Sequence, residues 1–275
     1  MLQYLCAIAY QRENDMPNDP TLLVIGHPGH ELRSYEWMRK TRPTVLVLTD
    51  GGGAKNHPRI ERTRGVVTQA GAVAGQLFGT FTDRDLYRFF IDGTPEPLVE
   101  WTSEVAATIA SLRPTTVVSD MIEGYNPSHD LCRYLVRAAI EMAARSGWPV
   151  REDLCMPLTG NPQEAWGGRL RWSQRIVLSD AQLAEKLLAA RGYPELLGEV
   201  EAALASHGAE CFRNECFYAS PPGSLLDDGL PGGPPLYESH GLGQVQAGLY
   251  EKVILYQQHV RPLVCHVRGA LGLLC

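Results

Sequence analysis

Several features that would settle the class of this chain at once are missing from it. No apolar run approaches the ~20 residues that a membrane-spanning helix needs. No polybasic run breaks a balance of 25 Lys and Arg against 31 Asp and Glu, net −6. Attraction to nucleic acid or to an anionic membrane therefore has no electrostatic footing. The seven cysteines (Cys6, Cys132, Cys155, Cys211, Cys216, Cys265 and Cys275) are scattered and odd in number, and none forms a C-x-x-C pair. A reduced, cytoplasmic chain with mostly buried thiols is expected. The opening MLQYLCAIAYQREND lacks a basic n-region and a small-residue cleavage site, so it reads as an arm or an extra docking strand rather than a signal peptide. There is no internal repeat and no linker between two cores. The 275 residues are expected to form one domain, with a core over about 20–150 and a C-terminal extension over about 151–275.

What is present is an alternation of strand and helix signals. TLLVIG (21–26), TVLVLT (44–49) and PTTVVSD (114–120) are short apolar, β-branched runs of the buried-strand kind. Helices are expected over 59–74, ending before Gly75, over 96–112, and over 130–147 after a loop MIEGYNPSH. This order predicts a mostly parallel sheet covered on both faces. Further on, RWSQRIVLS predicts a strand, and a helical stretch from Asp180, a candidate N-cap, breaks at Gly192-Tyr193-Pro194. Residues 219–236 are rich in Pro and Gly and predict a long surface loop before a last helix over 241–260.

In open α/β sheets ligands bind outside the carboxyl ends of the strands, and the unusual polar residues gather there. The first strand runs into His27-Pro28-Gly29-His30-Glu31, and the second into Asp50 and three glycines. The third ends at Asp120, followed by Glu123, Tyr125, Asn126, Ser128, His129 and Asp130. Pro28 and Gly29 let His27 and His30 curl toward a common point. With His129 they make a set of three ligands with one position left open, the composition of a catalytic zinc site. Imidazole also suits iron and other divalent transition metals. Taken alone, H-x-x-H fits a helix cap or a satisfied buried carbonyl equally well, and His129-Asp130 fits a helix start. Convergence at the strand ends is what favours metal.

These residues resemble the PIG-L/LmbE-like family of zinc-dependent N-acetylglucosaminyl deacetylases. The likeness rests on GHPGHE (26–31) against the family's A-H-P-D-D-E, VLTDGGG (47–53) against its L-T-x-G segment, and NPSHD (126–130) against its H-x-D-H. It implies a Rossmann-like three-layer sandwich and a zinc held by His27, His30 and His129, with one family carboxylate replaced by imidazole. It also implies departures. The family's general base falls at Gly29, its oxyanion-stabilising His at Asn126, and the Asp of its second motif at Ser128.

The expectation is thus a zinc-dependent hydrolase that cleaves an N-acyl amide of a small sugar-like or natural-product substrate. Asn126 would hold the oxyanion, and Glu31 or Asp120 would carry the proton. Arg62 (among Arg59, Arg62 and Arg64), Tyr125 and His240 are candidate substrate contacts, and the Pro/Gly-rich loop is a candidate lid. Two alternatives stand beside it: a metal enzyme of altered chemistry, because Gly29 carries no base, and a non-catalytic binding protein. A small-molecule substrate, no nucleic acid and no membrane are expected, and a homo-oligomer is left open.

Overall fold

A computed structural model describes residues 19–53, 57–220 and 234–275. The opening arm and most of the Pro/Gly-rich loop lie outside these residues. Seven strands form one sheet: β1 (Thr21–Ile25), β2 (Thr44–Thr49), β3 (Val73–Phe81), β4 (Thr116–Asp120), β5 (Glu152–Met156), β6 (Gln174–Val177) and β7 (Asn214–Ala219). Their order is β3-β2-β1-β4-β5-β7-β6. The first five are parallel, with Leu23 opposite Val45 on one side and Val118 on the other. β7 runs antiparallel to β5, and β6 antiparallel to β7. The helices are α1 (Tyr35–Thr41), α2 (Ile60–Gln69), α3 (Asp83–Asp92), α4 (Glu96–Leu112), α5 (Pro127–Arg145), α6 (Asp180–Arg191), α7 (Leu197–His207), α8 (Ala209–Phe212), α9 (Leu236–Gln246) and α10 (Arg261–Ala270). No described helix is long and apolar enough to cross a membrane.

Strand periodicity sorts the core into two layers. Leu22 and Val24 of β1 face Leu98, Trp101 and Val105 of α4 and Leu131 and Leu135 of α5. Their neighbours Leu23 and Ile25 face Tyr35, Trp37 and Met38 of α1, Val67 of α2 and Ala190 of α6. Every residue of β1 is buried, as the unbroken apolar run requires of a strand covered on both faces. Each such Leu, Val or Ile contributes about 1.5–3 kcal/mol by leaving water. This is the mostly parallel, helix-covered sheet expected from the sequence.

Several boundaries differ. The helix expected over 59–74 stops at Gln69, and Gly71 at φ 76° turns the chain into β3. That strand hides in the sequence because it is partly exposed and interrupted by Gly75 and Gly79, where the register shifts against β2. A Cβ on Gly75 would come within 2.5 Å of Leu46. α5 begins at Pro127, so His129 sits in its first turn rather than in a loop. Ser179, not Asp180, caps α6, in a reciprocal capping box with Gln182. The single helix expected over 241–260 is instead α9, a turn, a π-helical turn (Tyr256–Val260) and α10. Cys265 and Cys275 form a disulfide, their Cα atoms 4.9 Å apart, because the C-terminal residues fold back along α10. That corrects the expectation of a wholly reduced chain. Cys132, Cys155, Cys211 and Cys216 are free and buried, as expected.

One buried charge ties the distant strand β7 to the segment that follows β1. Glu215, fully buried, accepts the Glu36 and Trp37 N–H groups at 2.9 and 2.8 Å and the Lys186 ammonium at 2.9 Å. These N–H groups open α1, which has no cap of its own. Glu215→Ala would strand both donors and a buried ammonium. It is expected to lower unfolding free energy by about 3–5 kcal/mol in urea titration, and a loss under about 1 kcal/mol would overturn this account.

Candidate metal centre

β1 and β4 are neighbours in space, and the chain leaves them in opposite directions across the sheet. This is the point where an open α/β sheet forms its crevice. Both strands deliver their polar residues there. Asp120, the last residue of β4, is fully buried, and its Oδ2 accepts the Gly26 N–H at 2.7 Å. The same oxygen lies 2.9 Å from His30 Nδ1. Burial pushes the Asp120 carboxyl up to about 7 against the pull of the Gly26 N–H.

His27 is held in a comparable way from the other side. Its Nδ1 lies 2.6 Å from the Thr49 hydroxyl at the end of β2 and 3.1 Å from Asp83 Oδ1 at the start of α3. Burial alone would raise the Asp83 carboxyl, but its contacts with His27 and Thr49 outweigh that and lower it well below the usual range. The Thr49 hydroxyl, whose hydrogen goes to the Gly26 carbonyl, is free to accept at Nδ1, and the Asp83 carboxylate beside it favours the ring hydrogen there, which leaves a lone pair on Nε2. That Nε2 is buried and has no hydrogen-bond partner among the described residues. By the same reasoning Asp120 places the His30 hydrogen on Nδ1. His129, 9% exposed, presents a buried Nδ1 with no partner.

The three rings face one another. Their centroids are 5.4 Å (His27–His30), 5.0 Å (His27–His129) and 4.4 Å (His30–His129) apart, at interplanar angles of 85°, 66° and 84°. Three imidazoles on one tetrahedral zinc, with Zn–N of about 2.0 Å, would have centroids about 5 Å apart. Among the described residues no group of three or more His, Cys, Asp or Glu side chains is arranged so that it could hold a metal ion. What the triangle offers is two buried ring nitrogens, His27 Nε2 and His129 Nδ1, without a hydrogen-bond partner among the described residues, and a carboxylate beside the Nδ1 of His27 and of His30. His30 is pulled well below its usual range by burial and then by His27, Arg59 and Arg33, and His129 by burial and then by His30 and His27.

The other candidates are distributed unevenly. Glu31 is fully buried, with Oε2 accepting the Gly29 N–H at 2.8 Å and Oε1 accepting the Tyr193 hydroxyl. It braces the histidine loop, and burial raises its carboxyl against the Tyr193 bond. Glu123 accepts from Leu158 and Thr159, and Asp130 accepts the Glu123 and Gly124 N–H groups, so both tie loops together. Burial raises Asp130 to about 8. Asn126 caps α5, its Oδ1 accepting the Ser128 N–H at 2.8 Å. Tyr125 is 56% exposed on the rim, its ring 6.3 Å from that of His129. Arg62 points outward to Glu195 at 4.0 Å, whereas Arg59, with a buried Nε, acts on His30 together with Arg33. His240 is exposed on α9. Residues 221–233 of the expected lid lie outside the described residues.

Asp83 escaped the sequence reading because β3 did, and Thr49, although the end of β2 was expected there, was read only as a strand residue. For Asp83 a signal was available: Thr82 and Asp85 flank it in a T-x-x-D capping box.

No family model and no curated protein matches the chain. Similar solved structures include crystal structures of a deacetylase of the teicoplanin biosynthetic pathway. They are a triple mutant (14% identity, TM-score 0.44), a zinc-inhibited form (13%, 0.47) and a teicoplanin complex (13%, 0.47). Each alignment spans 74% of this chain and 99–100% of the other.

Lowered pKa values keep His30 and His129 neutral in metal-free protein at pH 6, where an unperturbed histidine of pKa ≈ 6.5 would be mostly protonated. Ring ¹H–¹⁵N spectra should show both as neutral tautomers, His30 with its hydrogen on Nδ1. Titration of either ring near 6.5 would contradict the burial argument.

Proposed function

We propose that the chain is a divalent-metal-dependent hydrolase, with zinc as the ion of first choice, that cleaves the C–N bond of an N-acylated small molecule within one metal-hydrolase domain. The observation that carries this reading is the pair of buried, unpartnered nitrogens, His27 Nε2 and His129 Nδ1, facing His30 within one triangle. His27, His30 and His129 would hold the ion, which when bound supplies Lewis acidity and acidifies a water.

The remaining roles belong to the chain's own residues. Asp83 and Thr49 fix the tautomer of His27, and Asp120 that of His30. Asp120 Oδ1 is buried without a partner, so this carboxyl, rather than the braced Glu31, is the group placed to take a proton from water. It would pass that proton to the leaving amine as the C–N bond breaks. Asn126 spends its carbonyl on capping α5. Its NH₂ is left to donate to the acyl oxygen, an interaction whose loss elsewhere costs about 10²–10³ in rate. Tyr125 on the rim would meet the body of the substrate.

One observation favours a second reading, cleavage of an ester or another activated bond. No carboxylate stands at residue 29, and an easier leaving group needs less proton transfer. Turnover of phenyl esters without release of amine from N-acetylated amino sugars would favour it over the first.

One zinc per chain is expected after gentle purification, lost in His27→Ala and His129→Ala together with turnover. Asp83→Asn should weaken zinc about 10–100-fold in competition with a chromogenic chelator. Full activity in a demetallated sample would sink the metal reading.

A further inference from the structure

Gly29 lies between two of the three histidines, at φ 105°, where an L side chain is strained. Its missing side chain does not leave open space. A Cβ built there would run into Cδ1 of Leu196. Leu196 comes from the turn between α6 and α7. The same turn supplies Tyr193, which is fully buried, donates its hydroxyl to Glu31 and accepts the Leu196 N–H at 3.0 Å. One short segment, more than 160 residues away in sequence, therefore grips the residue after His30 and lays an isobutyl group over the residue before it. Leu196 is only partly buried, packed on the core layer of Tyr35 and Tyr193. The groups that β2, α3 and β4 bring against the triangle (Thr49, Asp83 and Asp120) are polar, and Leu196 gives the side at Gly29 a hydrocarbon surface.

We propose that Leu196 is a specificity-determining residue, the apolar wall that meets the acyl group and limits its length. The proposal rests on the metal-hydrolase reading. In a substrate whose carbonyl lies at the triangle, the substituent on the carbonyl carbon is the part nearest the ligands. The amine portion would then extend toward the exposed rim, where Tyr125 stands. The backbone between His27 and His30 is therefore acyl ground, and Leu196 covers it.

The test uses the full-length, zinc-loaded chain and three straight-chain carboxylates as product-like probes: acetate, butanoate and hexanoate. Binding is measured by calorimetry. Wild type should bind acetate and lose affinity as the chain lengthens. Leu196→Ala should shift the hexanoate-to-acetate affinity ratio upward by at least about 10-fold, the scale of adding hydrocarbon to a matched pocket. Leu196→Val should lie between, and it serves if the alanine variant folds poorly. A ratio unchanged within about 2-fold overturns the proposal, as does no carboxylate binding by either protein. A separate arm needs no metal. Gly29→Ala should lower Tm more in wild type than in Leu196→Ala, because the backbone strain is common to both and the collision is not. Additive effects would remove Leu196 from its place over Gly29. Zinc content of the same samples reports separately on the metal reading, since a failed wall leaves one zinc per chain and a failed metal site leaves none.

Discussion

The site and the sheet meet at one oxygen atom. Asp120 Oδ2 accepts the Gly26 N–H and lies within hydrogen-bond distance of His30 Nδ1, so the end of β4 fixes both the exit path of β1 and the orientation of a histidine on that path. The constraint explains Gly26: a Cβ there would stand 2.9 Å from the same oxygen. It also accounts for the fully buried carboxylate, whose desolvation is tolerable only because a backbone donor and a ring nitrogen converge on it. With His30 aimed from β4 and His27 aimed from β2 and α3, the rings are oriented by the parallel pairing of neighbouring strands.

The charge pattern around the triangle follows. Under the proposed reading a ligand set of three imidazoles would be neutral, so nothing in direct contact with a bound dication would offset it. The compensating charge stands one atom layer back, in Asp83 and Asp120, each against an Nδ1. Such outer carboxylates raise the basicity of the rings they hold. Arg33 and Arg59 press on His30 in the opposite sense and disfavour an imidazolium there. The metal-free site is thus set to offer lone pairs rather than protons at neutral pH.

Much of the fold could be read from the sequence because it rests on strong local signals, and the proximity of the three histidines because the strands those signals mark end at one rim. β1, β2 and β4 are continuous β-branched runs, and H-x-x-H follows the first directly. β3 could not, since its glycines and partial exposure leave no period-2 pattern; its neighbours β2 and α2 supply the surroundings that make VAGQLFGTF a strand. With β3 went Asp83. β5 and β7 were missed for a related reason, being short segments with Glu, Asp, Asn and Cys among their residues. The roles of Glu31 and Asp130 were also beyond the sequence. A carboxylate beside a histidine looks like chemistry until its oxygens are seen to be committed to Tyr193 and Gly29, or to Glu123 and Gly124.

The contact between residues 29 and 196 bears on how the histidine loop is packed. A glycine without a packing role would leave the space beside it open. It is instead occupied by a leucine whose turn is anchored through Tyr193 to Glu31, the residue that follows His30. The conformation of Gly29 also departs from what an aspartate would adopt at low cost. Backbone, filler and anchor agree with one another, and the histidine triangle beside them keeps its supporting carboxylates. A side chain at residue 29 would have to displace the leucine, shift the turn that Tyr193 anchors and bear the strain of a positive φ, so the three parts are matched to glycine at this position.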